Sequence, residues 1–268
     1  MAPASGVTRS VVQQGETRIE VLAQGSGPAV VMIPSLGRGA EDFEDLAGRL
    51  ATAGYRALRP QPRGIGGSSG PLKDITLHDF ARDVAAVVEK HGGGSAVVVG
   101  HAFGNFVART TAADFPEMVK AVILLAATHV WPLAPELRAS INKSHDMSLP
   151  EEQRIQCIQH AFFAPGNDPR VWLGGWREDV MHAERAATEA TPREQWWHAG
   201  KAPILDVIPA HDACTPPESR NRYRDEFGAG RVTTTLIPNA GHALLPEQPE
   251  AVAGAIRNYL RWLALRES

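Results

Sequence analysis

The sequence predicts an α/β fold with a mostly parallel central sheet flanked by helices. Two observations predict it. Apolar runs typical of buried strands alternate with stretches whose apolar residues recur at the spacing of an amphipathic helix. The chain has 268 residues, of which 43% are hydrophobic and 21% charged, an ordinary composition for a protein with a sizeable core.

Each predicted element is bounded by turn residues and has apolar residues at the period of a strand or a helix. The predicted strands cover Arg9 to Gln14, Arg18 to Ala23, Ala29 to Ile33, Tyr55 to Arg59, Ala96 to Val99, Val119 to Ala126, Ile204 to Pro209 and Val232 to Ile237. The predicted helices cover Glu41 to Ala53, Thr76 to His91, Phe103 to Phe115, Pro216 to Phe227 and Pro246 to Leu265. Thr76 and Asp79 are placed like a capping box.

The alternation stops in residues 131–202, and residues 132–200 contain helical pieces, several Pro and Gly breaks and four of the six tryptophans. We therefore expect a helical cap, or lid, inserted into a core made of residues 1–130 and 203–268. Aromatic side chains form apolar pocket walls, so Trp172, Trp176, Trp196 and Trp197 are candidate substrate-pocket residues. The alternative is that these tryptophans form the core of the cap itself.

The run from Val97 to Gly104 has the pattern of a strand that turns sharply into a helix. In a G-x-S-x-G nucleophile elbow, small flanking residues let the turn hold the nucleophile above the sheet in a strained conformation. Gly100 and Gly104 supply that room, but Ala102 occupies the nucleophile position. Because a methyl group has no lone pair, this chain cannot form an acyl-enzyme through residue 102.

An acid and a histidine follow the elbow, each just after a predicted strand. They are Asp212 and His242. A histidine can take a proton from a nucleophile and return it to a leaving group, while a carboxylate orients the ring and stabilises the imidazolium. A single loop residue of either type is more often solvated or a helix cap. Two of them at strand ends after an elbow favour a catalytic pair.

The order of nucleophile, acid and histidine resembles the α/β-hydrolase superfamily over nearly the whole chain. This resemblance implies a triad formed by position 102, Asp212 and His242, and an oxyanion hole formed by the backbone amides of Phe103 and Leu36. The segment before Leu36 departs from the commoner His-Gly of the family, so a simple turn is the alternative there. His129, just past the sixth strand, is a further pocket candidate.

The loop from Arg63 to Ser68 resembles the Arg-Gly-x-Gly-x-Ser loop of the same superfamily. It lacks the Gly-Lys-Ser/Thr ending of a phosphate-binding loop, and Ser69 stands where a dinucleotide fingerprint needs its third glycine. We therefore expect neither a nucleotide site nor any other cofactor.

Charge and apolar content argue against several other classes of function. A formal net charge of -3 without a block of basic residues gives no reason to expect a nucleic-acid partner. No apolar run suits a membrane span or a signal peptide, so a cytoplasmic protein is expected. Cys157 and Cys214 are isolated, which argues against a disulfide or a metal site. The expected partner is a small apolar or aromatic substrate, and the sequence leaves open whether the chain forms a homodimer.

Three functions remain open from the sequence. The first is a hydrolase of the ester or lactone type, with Ala102 either a replaced serine that inactivates the chain or a natural feature of a divergent branch. The second is an enzyme without a nucleophile, of the cofactor-independent oxygenase or lyase type, in which His242 deprotonates substrate or water. The third is a non-catalytic ligand-binding protein that kept the pocket.

Overall fold

An eight-stranded sheet forms the centre of the computed structural model, which describes residues 6–127 and 133–267. The strands are β1 (Thr8–Gln14), β2 (Thr17–Gln24), β3 (Ala29–Ile33), β4 (Arg56–Pro60), β5 (Ala96–His101), β6 (Val119–Leu125), β7 (Ile204–Pro209) and β8 (Val232–Ile237). Their order across the sheet is β1-β2-β4-β3-β5-β6-β7-β8. Only the β1–β2 and β2–β4 pairs among these strands are antiparallel. The predicted α/β class and mostly parallel sheet are confirmed.

Helices cover both faces of the sheet. The α-helices of the described residues are α1 (Glu44–Thr52), α2 (Leu77–His91), α3 (Gly104–Asp114), α4 (Pro135–Ser144), α5 (Glu151–Phe162), α6 (Glu178–Ala190), α7 (Arg193–Trp196), α8 (Arg222–Phe227), α9 (Leu244–Glu247) and α10 (Pro249–Glu267). One face packs α2 and α3 on the sheet through residues such as Val84 and Val107. The other packs α1 and α10 through residues such as Leu50 and Ile256. The parallel strands are therefore buried on both faces, as their continuous apolar runs predict.

Three predicted helices differ from the structure by more than one residue at an end. The first begins with a 3-10 turn, Ala40–Phe43, and the one predicted from Pro216 splits into a 3-10 turn, Pro217–Ser219, and α8. The last predicted helix is interrupted before Pro249, since proline suits the first position of a helix but cannot donate a backbone hydrogen bond within one. The capping box at Thr76 is confirmed, with its amide 2.8 Å from an oxygen of Asp79.

Helices α4 to α7 lie between β6 and β7, and the described residues 133–203 contain no strand. We call residues 133–203 the helical segment. Its separation from the core as a cap stays a prediction. Within the described ranges, no helix combines the length and apolar composition that crossing a membrane requires.

Candidate active site

The turn between β5 and α3 has the strained geometry of a nucleophile elbow. Ala102 has a φ of 48°, a left-handed conformation that costs a residue with a Cβ about 1–2 kcal/mol. A Cβ on Gly100 would lie 2.2 Å from the carbonyl oxygen of Gly104, and one on Gly104 would lie 2.2 Å from that of Ile33. Strand and helix therefore approach each other so closely that only glycine fits on either side of Ala102.

His242 and Asp212 form a buried pair at the ends of β8 and β7. The Nδ1 of His242 donates to the carboxylate of Asp212, at 3.1 Å from Oδ1 and 3.0 Å from Oδ2. The side chain of Asp212 is 0% exposed and that of His242 is 6% exposed. This contact fixes the orientation of the ring and leaves Nε2 as the nitrogen available for proton exchange.

His101 supports the loop that carries His242. Its Nε2 donates to the carbonyl oxygen of His242 at 2.8 Å, and the residue is fully buried next to Ala102 in the chain. Burial lowers the pKa of His101 to about 4, and the charge of His242 lowers it too. A neutral His101 is therefore a fixed hydrogen-bond donor, which ties the elbow strand to the histidine loop.

Cys214 completes the surroundings of this pair and was not identified as a site residue from the sequence. Its amide donates to Oδ1 of Asp212 at 2.8 Å. The thiol sulfur of Cys214, a carboxylate oxygen of Asp212 and a ring nitrogen of His242 all lie within 4.8 Å of one another. Its position two residues after Asp212 was the available signal. These three side chains are of types that bind metal ions, and those of His242 and Asp212 are hydrogen-bonded to each other.

Several opposing effects set the proton affinity of His242. Burial lowers its pKa, whereas the Asp212 carboxylate and Cys214 raise it, and the net result is a pKa well above the ordinary value of 6.5. Burial also raises the pKa of the Cys214 thiol. The Asp212 carboxylate therefore favours the protonated imidazole, which must lose its proton before it can serve as a base.

The amides of Leu36 and Phe103 are both available for a ligand. Neither donates a hydrogen bond within the described ranges, although the neighbouring amide of Gly37 donates to Oε2 of Glu184 at 2.6 Å. Both residues line the same cavity as Ala102. The arrangement is compatible with an oxyanion hole, and that role stays a prediction.

A cavity of about 360 Å³ brings the candidate site together with the helical segment. Ala102, His242 and Cys214 line it on the side of the sheet. Its apolar wall consists of Leu36, Phe103, Phe106, Leu133, Ile141, Phe162, Trp176 and Met181. The remaining lining is polar and consists of Ser35, Arg138, Asn142, His145, Arg185, Thr188 and Glu189. None of these polar residues was identified from the sequence as part of the pocket.

The predicted tryptophan pocket is only partly present. Trp176 lines the cavity, whereas Trp172 lies behind it, with its ring centroid 5.9 Å from that of Trp176 and 5.8 Å from that of His101. Trp172 instead lines a separate cavity of about 450 Å³ that contains neither Ala102 nor His242.

The expectation for Trp196 and Trp197 is wrong, because both pack into the core against α3 rather than lining the cavity. The guanidinium carbon of the buried Arg109 lies 4.7 Å from the ring centroid of Trp197. Aromatic rings satisfy a core as readily as a pocket wall, which the sequence does not distinguish. His129 lies outside the described residues.

Comparisons with known proteins identify the family of the chain. Residues 28–156 match the family model described as alpha/beta hydrolase fold, and residues 175–266 match the model described as TAP-like protein. The chain is 29% identical over 269 aligned positions to 2-(acetamidomethylene)succinate hydrolase of Mesorhizobium japonicum, and the match covers 93% of this chain and 94% of that protein.

Solved structures have the same fold. An esterase from Exiguobacterium antarcticum superposes with a TM-score of 0.78 at 19% identity, covering 95% of this chain and 100% of that one. An esterase from Thermogutta terrifontis superposes with a TM-score of 0.76 at 23% identity, covering 97% of this chain and 99% of that one. The family models and the shared fold agree, and the chain belongs to the α/β-hydrolase superfamily.

Proposed function

We propose that the chain is a hydrolase of small carboxylic esters or lactones, with a site arranged for acyl transfer and Ala102 at its nucleophile position. One observation carries the proposal. A histidine whose Nδ1 is bonded to a buried carboxylate lines the same cavity as an elbow residue at positive φ. The relatives named as hydrolases and esterases support hydrolysis as the type of reaction.

The roles follow from the chemistry of each group. With a serine at position 102, Nε2 of His242 would take the hydroxyl proton while the oxygen attacks the acyl carbon. The amides of Leu36 and Phe103 would donate to the resulting oxyanion. The leaving alkoxide would receive the proton from His242, and water activated by the same nitrogen would then release the acid.

Ala102 removes the covalent step and leaves the other groups in place. The route that remains for the chain as it stands is direct attack by a water molecule that gives its proton to His242. Removal of one member of such a triad still leaves roughly 10³- to 10⁴-fold catalysis over water from the oxyanion hole and binding. We therefore expect slow hydrolysis rather than none.

A second function is favoured by the methyl group at position 102. An enzyme that uses the His242–Asp212 pair only to deprotonate a substrate has no need of a nucleophile there. In that case His242 is the base for a C–H or O–H group of the substrate, as in a lyase or a cofactor-independent oxygenase. A binding protein without catalysis is the third outcome.

One set of variants separates the three functions. The chain as it stands, Ala102→Ser and the hydroxyl-free control Ala102→Gly are compared on p-nitrophenyl esters and lactones, each with and without His242→Ala. For an acyl hydrolase we expect Ala102→Ser to raise turnover about 10³-fold or more, with burst kinetics. A gain of the same size in Ala102→Gly would contradict the role of the hydroxyl.

The turnover of the chain with Ala102 in place separates the second function from the third. Turnover that Ala102→Ser fails to raise and His242→Ala abolishes would favour the second function. No turnover in any of these variants, in protein that is folded by circular dichroism, would leave ligand binding as the function.

A further inference from the structure

We propose that the cavity selects substrates that carry a free carboxylate, which Arg185 binds with help from Arg138 and His145 at the end formed by the helical segment. The inference rests on the proposed function, because it names the class of ester or lactone that the same site takes. The carboxylate lies away from the scissile bond and is joined to it by an apolar spacer.

Arg185 is the main cation of this end of the cavity. It lies on α6 and is half-buried, and its Nη2 donates to Oδ1 of Asn142 at 3.3 Å. In the part of the chain that the structure describes, no carboxylate oxygen lies within 4 Å of its guanidinium nitrogens. A guanidinium remains charged in proteins, so Arg185 gives the cavity lining a positive charge whose hydrogen-bond partner, Asn142, is neutral.

The charges around Arg185 leave this end positive. Burial lowers the pKa of Arg185, the neighbouring Arg138 on α4 lowers it further, and Glu189 raises it. Among the described residues that line the cavity, Glu189 is the only acid, and it is exposed. A bound anion would relieve the repulsion between the two guanidinium groups. Glu189 also relieves it, but to a smaller extent because this carboxylate is exposed to solvent.

His145 offers unused polar atoms at the same end. It follows α4 and packs against Trp176, with ring centroids 6.1 Å apart. Both ring nitrogens are shielded from solvent and have no hydrogen-bond partner among the described residues. Burial lowers the pKa of this histidine, and Arg185 lowers it too, so its neutral ring has one N–H donor without an acceptor. A substrate oxygen would satisfy that donor.

The apolar wall sets the distance between the two ends of the substrate. From His145 the wall continues through Trp176 to Phe162, whose ring centroids are 5.9 Å apart, and from Phe162 to His242 at 5.7 Å. Two aromatic rings thus separate the cationic end from the proton-transferring histidine. A substrate that reaches both ends has an apolar or aromatic spacer between its carboxylate and its acyl group.

The anion is assigned as a carboxylate rather than a phosphate. A guanidinium pairs with a carboxylate or a phosphate through two parallel hydrogen bonds, so the assignment rests on charge. The half-buried guanidinium of Arg185, a neutral histidine and an amide suit a monoanion. Glu189 at the rim opposes a second negative charge.

The test measures binding without catalysis. Isothermal titration calorimetry on the full chain compares 3-phenylpropionate with its amide, which has the same shape and no charge. We expect the acid to bind about 10-fold more tightly or better, as for hydrogen bonds to a charged group. Arg185→Gln should remove this preference for the acid and leave the affinity for the amide unchanged, whereas Arg185→Lys should keep part of the preference. Arg170 is an exposed arginine outside the cavity, so Arg170→Gln should keep the full preference.

Equal affinities for acid and amide in the unchanged chain would overturn the inference even if Arg185→Gln failed to fold. A preference that survives Arg185→Gln would overturn the role of this residue, and tighter binding of phenyl phosphate would overturn the assignment as carboxylate. None of these results depends on turnover, so hydrolysis gained by Ala102→Ser without a preference for the acid would refute this inference alone.

Discussion

The edge of the sheet and the helical segment contribute to the same cavity in different ways. At the edge, the elbow packs so closely that a Cβ added at Gly100 or Gly104 would lie 2.2 Å from a backbone oxygen, and the ring of His242 is fixed by a buried carboxylate. In the helical segment, most of the side chains that line the cavity stand on α4 and α6, and Arg185 is only half-buried. The difference places the proposed chemistry on the closely packed part of the cavity and the proposed selectivity on the more exposed part.

The largest expected effect falls on the orientation of His242. In the Ala102→Ser background, Asp212→Asn should lower kcat about 10³- to 10⁴-fold, since the amide no longer holds the productive tautomer of the ring. The nearly isosteric change Thr188→Val, in the cavity wall on α6, should alter kcat/KM less than about 10-fold. If steady-state hydrolysis fell by the same factor in Asp212→Asn and Thr188→Val, the proposed difference between the two regions would be wrong.

A second comparison concerns stability. Gly100→Ala and Gly104→Ala place a methyl group against fixed backbone, so each should lower the free energy of unfolding by about 2–4 kcal/mol. Gly174→Ala, in the helical segment, meets no atom within 4 Å and should change it by less than about 0.5 kcal/mol. Urea unfolding measures both, and a tolerant elbow would contradict the account of its close packing.

Glu184 joins the two regions, since this buried residue of α6 accepts from the amide of Gly37 in the loop after β3. Burial raises the pKa of its carboxyl to about 8, from an ordinary value of 4.5, although the Gly37 amide lowers it. Between these two pH values the folded protein holds a proton that the unfolded chain has lost, so this group makes stability fall as pH rises.

Glu184→Gln keeps the acceptor oxygen and removes the titration. We expect the Tm of the variant to lie above that of the parent, and the difference to grow from pH 4.5 to pH 8. Each kcal/mol gained in the free energy of unfolding should raise the Tm by about 2–4 °C. Glu189→Gln, an exposed position on the same helix, is the matched control. A Tm difference that does not change with pH would show that the carboxyl of Glu184 is not buried as described.

The smallest expected effect is a shift of a pH profile. His242 must be neutral to accept a proton, so hydrolysis by Ala102→Ser should fall as pH drops through its raised pKa, with the acid limb of kcat/KM above 6.5. Cys214→Ala removes one of the groups that raise this pKa and should move the limb to lower pH. Cys157→Ala should leave the limb unchanged, and a limb unmoved by Cys214→Ala would remove the thiol from the account.

The sequence predicts the two regions unequally. The strands were predictable because the period of apolar residues follows directly from local backbone geometry. The elbow was predictable because its close packing leaves no room for a Cβ, as at Gly100. Asp212 and His242 were predictable because parallel strands end at one edge. Trp197 and Arg185 were not, because which face of a helix meets the cavity depends on how that helix packs, and an aromatic or amphipathic residue suits several arrangements.

Labelling with a fluorophosphonate tests most directly whether the sheet edge is arranged for nucleophilic attack, because the probe reacts with an activated serine whatever the natural substrate. We predict one adduct per chain in Ala102→Ser, mapped by mass spectrometry to residue 102, no adduct in the unchanged chain, and slow or absent labelling when His242→Ala is added. Folded Ala102→Ser protein that remains unlabelled would contradict the acyl-transfer account and leave His242 as a base without a nucleophile.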